Sequence, residues 1–207
     1  LFVCGNYLID SDAGVVPGAA EKKRMLHCNM SSPSERADLK SIRDWALSHN
    51  PPKETSSHWW YTDLNSENRS AFDRLVGCDT IMDTFHSKFG RKDYNVEVVS
   101  GMNEIYVTGP PVRGSSDTVF YTEHIDGPWG LFPFCSLYRC IVGMDDNDAV
   151  TTHFPVSDFA LAAKTGDVLA FDFNREIHYI TRNPEGRTEK DGYRVVLKFH
   201  YVAYPKS

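Results

Sequence analysis

The sequence predicts an α+β fold, in which N-terminal helices support a β-sandwich or an open β-barrel. Apolar residues recur at helical spacing before residue 92 and fall into short, strand-length runs after it. No long helical pattern lies between the late strands, which disfavours a doubly wound parallel sheet. Because 207 residues is the length of one domain, we predict a single domain, with residues 1–92 as mainly helical support and lid and residues 93–207 as the β core.

The first predicted helix begins with a capping box. Ser32 is followed three residues later by Glu35, and Pro33 occupies the first helical position, where its missing N–H costs nothing. Leu39, Ile42 and Ala46 then recur on one face of the helix. The helix is expected to end before the pair of prolines at positions 51 and 52.

A second helical region is predicted between residue 66 and residue 90. It begins near Ser66 or Ser70, and Gly90 is a suitable C-terminal stop. Gly77 lies in its middle and is expected to divide it into two helices.

The remaining chain reads as short strands separated by turn residues. Strand-length apolar runs are predicted at residues 95–99, 104–108, 118–124, 136–142, 167–173 and 193–201. Glycine, proline, aspartate and asparagine cluster between them, as in loops that join antiparallel strands.

Composition and charge exclude several classes of protein. With 41% hydrophobic and 24% charged residues the chain can bury a core, and no apolar run reaches the roughly 20 residues that span a bilayer. A net charge of −6 disfavours an extended nucleic-acid groove. We expect a soluble domain, and the sequence does not indicate its cellular compartment. Because it begins at Leu1 without an initiator methionine, a processed or truncated N-terminus is also expected.

Three polar features stand out in the β region. His124-Ile125-Asp126 ends the predicted strand 118–124, and two residues separated by one position at a strand end can reach one point. His178 interrupts an apolar segment, and Arg194 opens the last strand. Taken singly, these histidines also fit hydrogen-bonded structural residues. Their order along the chain favours a shared functional site over three separate structural roles.

This set resembles the Fe(II)- and 2-oxoglutarate-dependent dioxygenase superfamily, whose double-stranded β-helix carries an H-x-D motif, a distal histidine and a basic residue on the final strand. The resemblance covers residues 103–204 and includes a Gly-Asp turn within residues 164–171. It implies a jelly-roll or cupin-like double-stranded β-helix. It also implies that His124, Asp126 and His178 are the metal ligands and catalytic residues, and that Arg194 binds the distal carboxylate of 2-oxoglutarate.

These residue types suit the implied chemistry on physical grounds as well. Two neutral imidazoles and one carboxylate leave three adjacent positions of Fe(II) open for a bidentate 2-oxo acid and O2. A planar guanidinium binds a carboxylate bidentately, which suits Arg194 as the anchor of the cosubstrate. Alternative anchors are Lys198 on the same face of the strand and Arg182 or Arg187 in the preceding loop.

Further side chains are candidates for contact with the cosubstrate. Tyr121, Thr122 and Tyr138 lie on predicted strands near the metal motif and can donate hydrogen bonds to 2-oxoglutarate. Simple packing within the sheet is the competing role for each tyrosine.

Substrate contacts are predicted on both sides of the metal motif. Trp129 and Phe132 follow it in a segment that contains glycine and proline, and Arg113 lies in the loop 109–117. That loop and the pair Trp59-Trp60 form the predicted lid.

The resemblance implies an enzyme that converts 2-oxoglutarate and O2 to succinate and CO2 while hydroxylating a substrate, with ascorbate as a supporting reductant. We predict a small organic or lipid-like substrate. A protein side chain or a nucleobase is the alternative within the class. A non-catalytic cupin-like domain, which binds a metal or ligand or serves as an interaction module, is the alternative outside it.

Overall fold

The computed structural model describes residues 25–49, 57–108, 121–127, 135–146, 148–183 and 193–206. The described chain contains three α-helices and ten β-strands. The helices are α1 (Pro33–His49), α2 (Ser66–Val76) and α3 (Asp79–Phe89). The strands are β1 (Met25–Asn29), β2 (Ser57–Trp60), β3 (Tyr94–Val98), β4 (Glu104–Thr108), β5 (Ser136–Gly143), β6 (Val150–Phe154), β7 (Phe159–Leu161), β8 (Asp167–Asp172), β9 (Tyr179–Arg182) and β10 (Arg194–Pro205).

The strands form two antiparallel sheets. The larger sheet has the order β1-β8-β5-β10-β4-β2, with β3 paired to the C-terminal half of β10. The smaller sheet has the order β7-β6-β9, and an isolated bridge between His124 and His178 adds one more position beside β9. Two antiparallel sheets connected in this way form a jelly roll. The predicted α+β class and double-stranded β-helix are confirmed.

Alternation along β10 separates the core from the site. Leu197, Phe199 and Tyr201 face the helices, where Phe72 packs 5.0 Å from Phe199 and Phe85 packs 4.9 Å from Tyr201 between ring centroids. The intervening residues, which begin with Arg194, face the smaller sheet instead. The helices therefore stabilise one face of the large sheet and leave its other face available for the site.

The helical predictions are confirmed in detail. In the capping box at α1, the Glu35 backbone N–H donates to Ser32 Oγ over 3.2 Å, and the Ser32 N–H donates to Glu35 Oε2 over 3.0 Å. The second region divides at Gly77 into α2 and α3, and Gly90 ends α3 with a φ of 82°. Among the described residues, no helix is both long and apolar enough to cross a membrane.

The first part of the chain also contributes strands that the periodicity did not predict. β1 pairs with β8 and β2 pairs with β4, so both belong to the large sheet. The pair Trp59-Trp60 therefore lies in an edge strand, with Trp59 packed edge-on against Trp45, which corrects its predicted place in a lid. The loop 109–117 lies outside the described residues.

Candidate metal centre

Two histidines are fixed by direct backbone pairing across the smaller sheet. The His124 N–H donates to the His178 carbonyl over 3.1 Å, and the His178 N–H donates back to the His124 carbonyl over 2.9 Å. The two imidazole rings consequently lie side by side, with centroids 4.4 Å apart. Residues 118–120 of the predicted strand 118–124 lie outside the described residues, and the rest of that prediction is corrected, because residues 121–123 are not extended and His124 alone makes the bridge.

Backbone carbonyls also fix which ring nitrogens face the centre. His124 Nδ1 lies 2.8 Å from the Thr122 carbonyl oxygen, and His178 Nδ1 lies 3.2 Å from the Glu176 carbonyl oxygen. Since a carbonyl only accepts, each Nδ1 carries a proton, and the neutral form of each imidazole then has its lone pair on Nε2. Burial lowers the pKa of His178, which favours its neutral, ligating form.

Asp126 completes the trio from the turn after His124. Its Oδ1 lies 3.7 Å from His124 Nε2, and its Oδ2 lies 3.5 Å from His178 Nε2. The Gly127 N–H donates to the Phe173 carbonyl over 3.1 Å and ties this turn to the end of β8. A Cβ at Gly127 would lie 2.2 Å from Asn174 Oδ1, so this close approach requires glycine.

The three residues match the requirements of a metal site. One ligand atom from each of His124, Asp126 and His178 lies within 4.8 Å of the others. Two imidazole nitrogens and one carboxylate oxygen form the donor set that suits a non-haem iron with open positions. The carbonyls that hold both Nδ1 protons provide the outer hydrogen bonds that metal-binding histidines usually have.

Arg139 links this trio to the large sheet. Its Nη1 donates to Asp126 Oδ2 over 2.6 Å and its Nε donates to His200 Nε2 over 3.0 Å, while its guanidinium lies 4.5 Å from the Phe173 ring centroid. Burial lowers the pKa of Arg139, and the Asp126 carboxylate opposes that effect. The ion pair therefore balances the charge of the buried carboxylate and holds one of its oxygens.

A pocket extends from the trio between the two sheets. Its walls combine apolar side chains with several basic ones. The lining residues are Tyr106, Thr108, Tyr121, His124, Asp126, Arg139, Ile141, Val150, Thr152, His178, Ile180, Arg182, Arg194, Val196 and Lys198. The three predicted ligands and Arg194 are thus brought to one pocket.

Lys198 is the alternative anchor from the same strand, but it already has an anionic partner. Its Nζ donates to Glu104 Oε1 over 2.8 Å and lies 4.3 Å from the Tyr106 ring centroid. His58 Nδ1 lies 2.6 Å from the other oxygen of Glu104. Despite its burial, Glu104 has its pKa lowered to about 2 by these two partners. The positive charge of Lys198 is therefore already balanced by Glu104, which favours Arg194 as the anchor.

The other predicted cosubstrate contacts fall in different places. Tyr121 lines the pocket and is 38% exposed. Thr122 has an exposed side chain and contributes its carbonyl to His124. Tyr138 lies on the opposite face of β5, with its ring 5.3 Å from Phe85, and this placement corrects its predicted contact with the cosubstrate. The predicted substrate contacts lie outside the described residues; they are Trp129, Phe132 and Arg113.

Sequence reasoning missed Arg139 and Glu104. A usable signal existed for Arg139, because strict alternation along the predicted strand 136–142 puts it on the face opposite Tyr138 and Cys140. A basic residue on an otherwise apolar strand marks the site face. Glu104 had no such signal, since its partners His58 and Lys198 lie 46 and 94 residues away.

Comparison of the whole structure with solved structures finds several of the same fold. A viral collagen prolyl hydroxylase from Paramecium Bursaria Chlorella virus-1, in complex with 2-oxoglutarate, aligns with a TM-score of 0.54 and 15% identity over 87% of this chain and 96% of that one. A prolyl-4-hydroxylase from Pseudomonas putida aligns with a TM-score of 0.52 and 13% identity, covering 95% of this chain and 100% of that one.

A third similar structure is HygX from Streptomyces hygroscopicus with nickel and 2-oxoglutarate bound. It aligns with a TM-score of 0.51 and 12% identity over 87% of this chain and 83% of that one. No protein-family model matches the sequence, and a search of curated proteins finds no match either. The structural likenesses show that this chain has the double-stranded β-helix fold of these oxygenases.

Proposed function

We propose that this protein is a non-haem Fe(II), 2-oxoglutarate-dependent oxygenase of the hydroxylase type. The observation that carries the proposal is the convergence of His124, Asp126 and His178 at one end of a pocket that has Arg194 along its wall. The similar folds of a prolyl hydroxylase bound to 2-oxoglutarate and of HygX bound to nickel and 2-oxoglutarate support it.

The trio would hold Fe(II) through His124 Nε2, His178 Nε2 and one oxygen of Asp126. Iron, 2-oxoglutarate and O2 together supply the oxidation that yields succinate, CO2 and a hydroxylated substrate. The protein's own part is to orient both imidazoles through the carbonyls that accept from their Nδ1 atoms, to hold the carboxylate through Arg139 and to limit water at His178. The ring of His178 lies 4.6 Å from the Phe171 ring centroid.

Arg194 would bind the distal carboxylate of 2-oxoglutarate. It is the first residue of β10. Its side chain lies on the same face of the large sheet as that of Arg139, which belongs to the neighbouring strand β5. The Arg194 guanidinium, which is partly buried, can pair strongly with a carboxylate because the bonds are charge-assisted and can be bidentate. Tyr121, which lines the same pocket, remains a candidate to add a hydrogen bond.

The substrate that we propose is a small organic or lipid-like molecule. The pocket lies between two sheets, and apolar side chains from both of them line it: Ile141 and Val196 from the large sheet, Val150 and Ile180 from the small one. Narrow, partly apolar pockets of this kind are typical of small-molecule sites. A protein side chain is the second candidate, because two of the similar structures are prolyl hydroxylases.

The first test is succinate release. Purified protein supplied with Fe(II), ascorbate, O2 and 2-oxoglutarate should form succinate slowly without a substrate, and His178→Ala should abolish it. His153→Ala is the matched control, because His153 stacks on Tyr179 at 4.7 Å between centroids and lies outside the pocket lining. Equal succinate release by the parent and His178→Ala would refute the ligand assignment, and no release by any protein would favour a non-catalytic domain.

The substrate is tested separately. Small organic acids, amines and lipids, together with proline-containing peptides, would be screened for stimulation of succinate release, with a mass gain of one oxygen as the product signal. We expect stimulation by a member of the small-molecule set. Stimulation by peptides alone would instead assign a protein side chain as the substrate.

A further inference from the structure

Two arginines approach the pocket from opposite sheets. Arg182 is the last residue of β9 in the small sheet, and Arg194 is the first residue of β10 in the large sheet. Both line the pocket. Alternation along β9 turns Ile180 and Arg182 inward, whereas Thr181 on the outer side contacts His153.

Both arginines lie toward the end of the pocket away from the metal centre. Arg182 is four residues beyond His178, or about 13 Å along the strand at roughly 3.3 Å per residue. Arg194 is six residues before His200, the partner of Arg139, or about 20 Å by the same measure. Long arginine side chains reach back from these positions. The spacing suits a short dicarboxylate with one end at the trio and the other between the guanidiniums.

These two guanidiniums differ from the other cations of the pocket in their partners. Arg139 is paired with Asp126, and Lys198 is paired with Glu104. Within the described part of the chain, the buried Nε of Arg182 has no hydrogen-bond partner. The carboxylate whose charge acts on Arg194 is Asp145. Asp145 already accepts hydrogen bonds from Arg43 Nε at 2.5 Å and from the Val195 N–H at 2.5 Å.

The two positive charges also repel each other. Burial is the main reason why the pKa of Arg194 falls to about 10, and the charge of Arg182 contributes to that fall. Two like charges in a partly desolvated pocket are unfavourable unless an anion lies between them. A carboxylate placed there would remove the repulsion and accept hydrogen bonds from both sides.

We propose that Arg182 and Arg194 together bind the distal carboxylate of 2-oxoglutarate, so that the anchor consists of one guanidinium from each sheet. The inference rests on the proposed function and deepens it by adding Arg182 as a cosubstrate-binding residue. Its consequence is strict selectivity for dicarboxylic 2-oxo acids. A 2-oxo acid without the distal carboxylate leaves two partly buried guanidiniums without an anion, which is costlier than leaving one.

The test compares two ligands that differ only at the distal carbon. Calorimetric titration of the Zn(II)-loaded protein, which cannot turn over, would measure affinity for 2-oxoglutarate and for 2-oxovalerate, in which a methyl group replaces the distal carboxylate. Arg182→Met should weaken 2-oxoglutarate binding by roughly 10- to 100-fold, the range for charge-assisted hydrogen bonds. It should leave 2-oxovalerate binding unchanged or make it tighter, because one guanidinium fewer is left without an anion. Arg182→Lys should weaken 2-oxoglutarate less, because the charge remains but the planar fork is lost.

Arg91→Met is the matched control, because Arg91 pairs with the exposed Asp83 and lies outside the pocket lining. It should bind both ligands as the parent does. If the parent binds 2-oxoglutarate and both Arg182 variants bind it equally tightly, the two-arginine anchor is refuted while the proposed function stands. If the parent takes up Zn(II) and binds neither 2-oxo acid, the proposed function fails and the inference fails with it. Should Arg182→Met prove unfolded by circular dichroism, Arg182→Lys decides alone.

Discussion

At the scale of single residues, the ion pair between Arg139 and Asp126 is the central feature of the site. Both side chains are mostly buried, with 17% and 12% of their surfaces exposed. A buried carboxylate without a partner is strongly destabilising, whereas an exposed ion pair contributes little. Without a metal, Arg139 is therefore the group that compensates the Asp126 carboxylate in this position.

Replacing Arg139 by methionine should expose that dependence. In chelator-treated protein, Arg139→Met should lower the free energy of unfolding by roughly 3 kcal/mol, the cost of removing one partner of a buried ion pair. Urea denaturation measures this loss. Excess Zn(II) should restore more stability to the variant than it adds to the parent, because the metal supplies the missing positive charge beside Asp126.

The control for this variant is Arg74→Met, which breaks an exposed pair with Asp38 and should change the free energy of unfolding by no more than about 1 kcal/mol. If Arg139→Met lost the same stability with and without Zn(II), the role of Arg139 would be packing against Phe173 rather than charge compensation.

At the scale of elements, the helices were predictable and several strands were not. The limits of α1 follow from local chemistry, a capping box at its start and prolines after its end, which the sequence displays directly. β6, β7 and β9 are three to five residues long and exist through pairing with one another, which no local pattern reveals. The sequence therefore predicts a loop at Arg182, whereas this residue ends β9.

The turn that follows His124 gives the second prediction at this scale. Gly127→Ala should weaken Zn(II) binding by roughly 10-fold, because the added Cβ collides with Asn174 and displaces the neighbouring Asp126. Gly101→Ala is the matched control, since a Cβ there meets nothing within 4 Å. Competition with a chromogenic chelator measures both affinities. Equal affinities in the two variants would show that the turn tolerates displacement without loss of the ligand.

At the scale of the whole molecule, the jelly roll brings distant parts of the chain to one site. His124 was predictable from its H-x-D motif, and His178 from its position after that motif in the chain. Arg139 reaches partners 13 and 61 residues away, at Asp126 and His200. The pairing of β5 with β10 places His200 beside it, and the stacking of the two sheets brings Asp126 to it. Alternation also indicates which face of a strand each residue takes, and it places Tyr138 on the helix side of β5 with Cys140, away from the pocket.

The same burial that builds the site makes the metal-free fold sensitive to acid. His200 is 1% exposed, and burial together with the nearby charge of Arg139 lowers its pKa to about 3. In the unfolded chain a histidine titrates near 6.5. Below that value the unfolded state binds a proton that the folded state does not bind. The free energy of unfolding must therefore fall as the pH falls from about 6.5 towards 3. Glu104, with its pKa lowered to about 2, adds a further loss below its ordinary value of 4.5.

Replacing His200 by glutamine tests this account, because the amide oxygen still accepts from Arg139 Nε but does not titrate. Between pH 7 and pH 5, the parent should lose roughly 2 kcal/mol more unfolding free energy than His200→Gln, since pH 5 lies 1.5 units below the unfolded pKa at about 1.36 kcal/mol per unit. Urea denaturation with a chelator present at both pH values measures the difference. Equal losses in the two proteins would mean that His200 accepts its proton in the folded state, and Arg139 would then have to release its hydrogen bond to His200 Nε2.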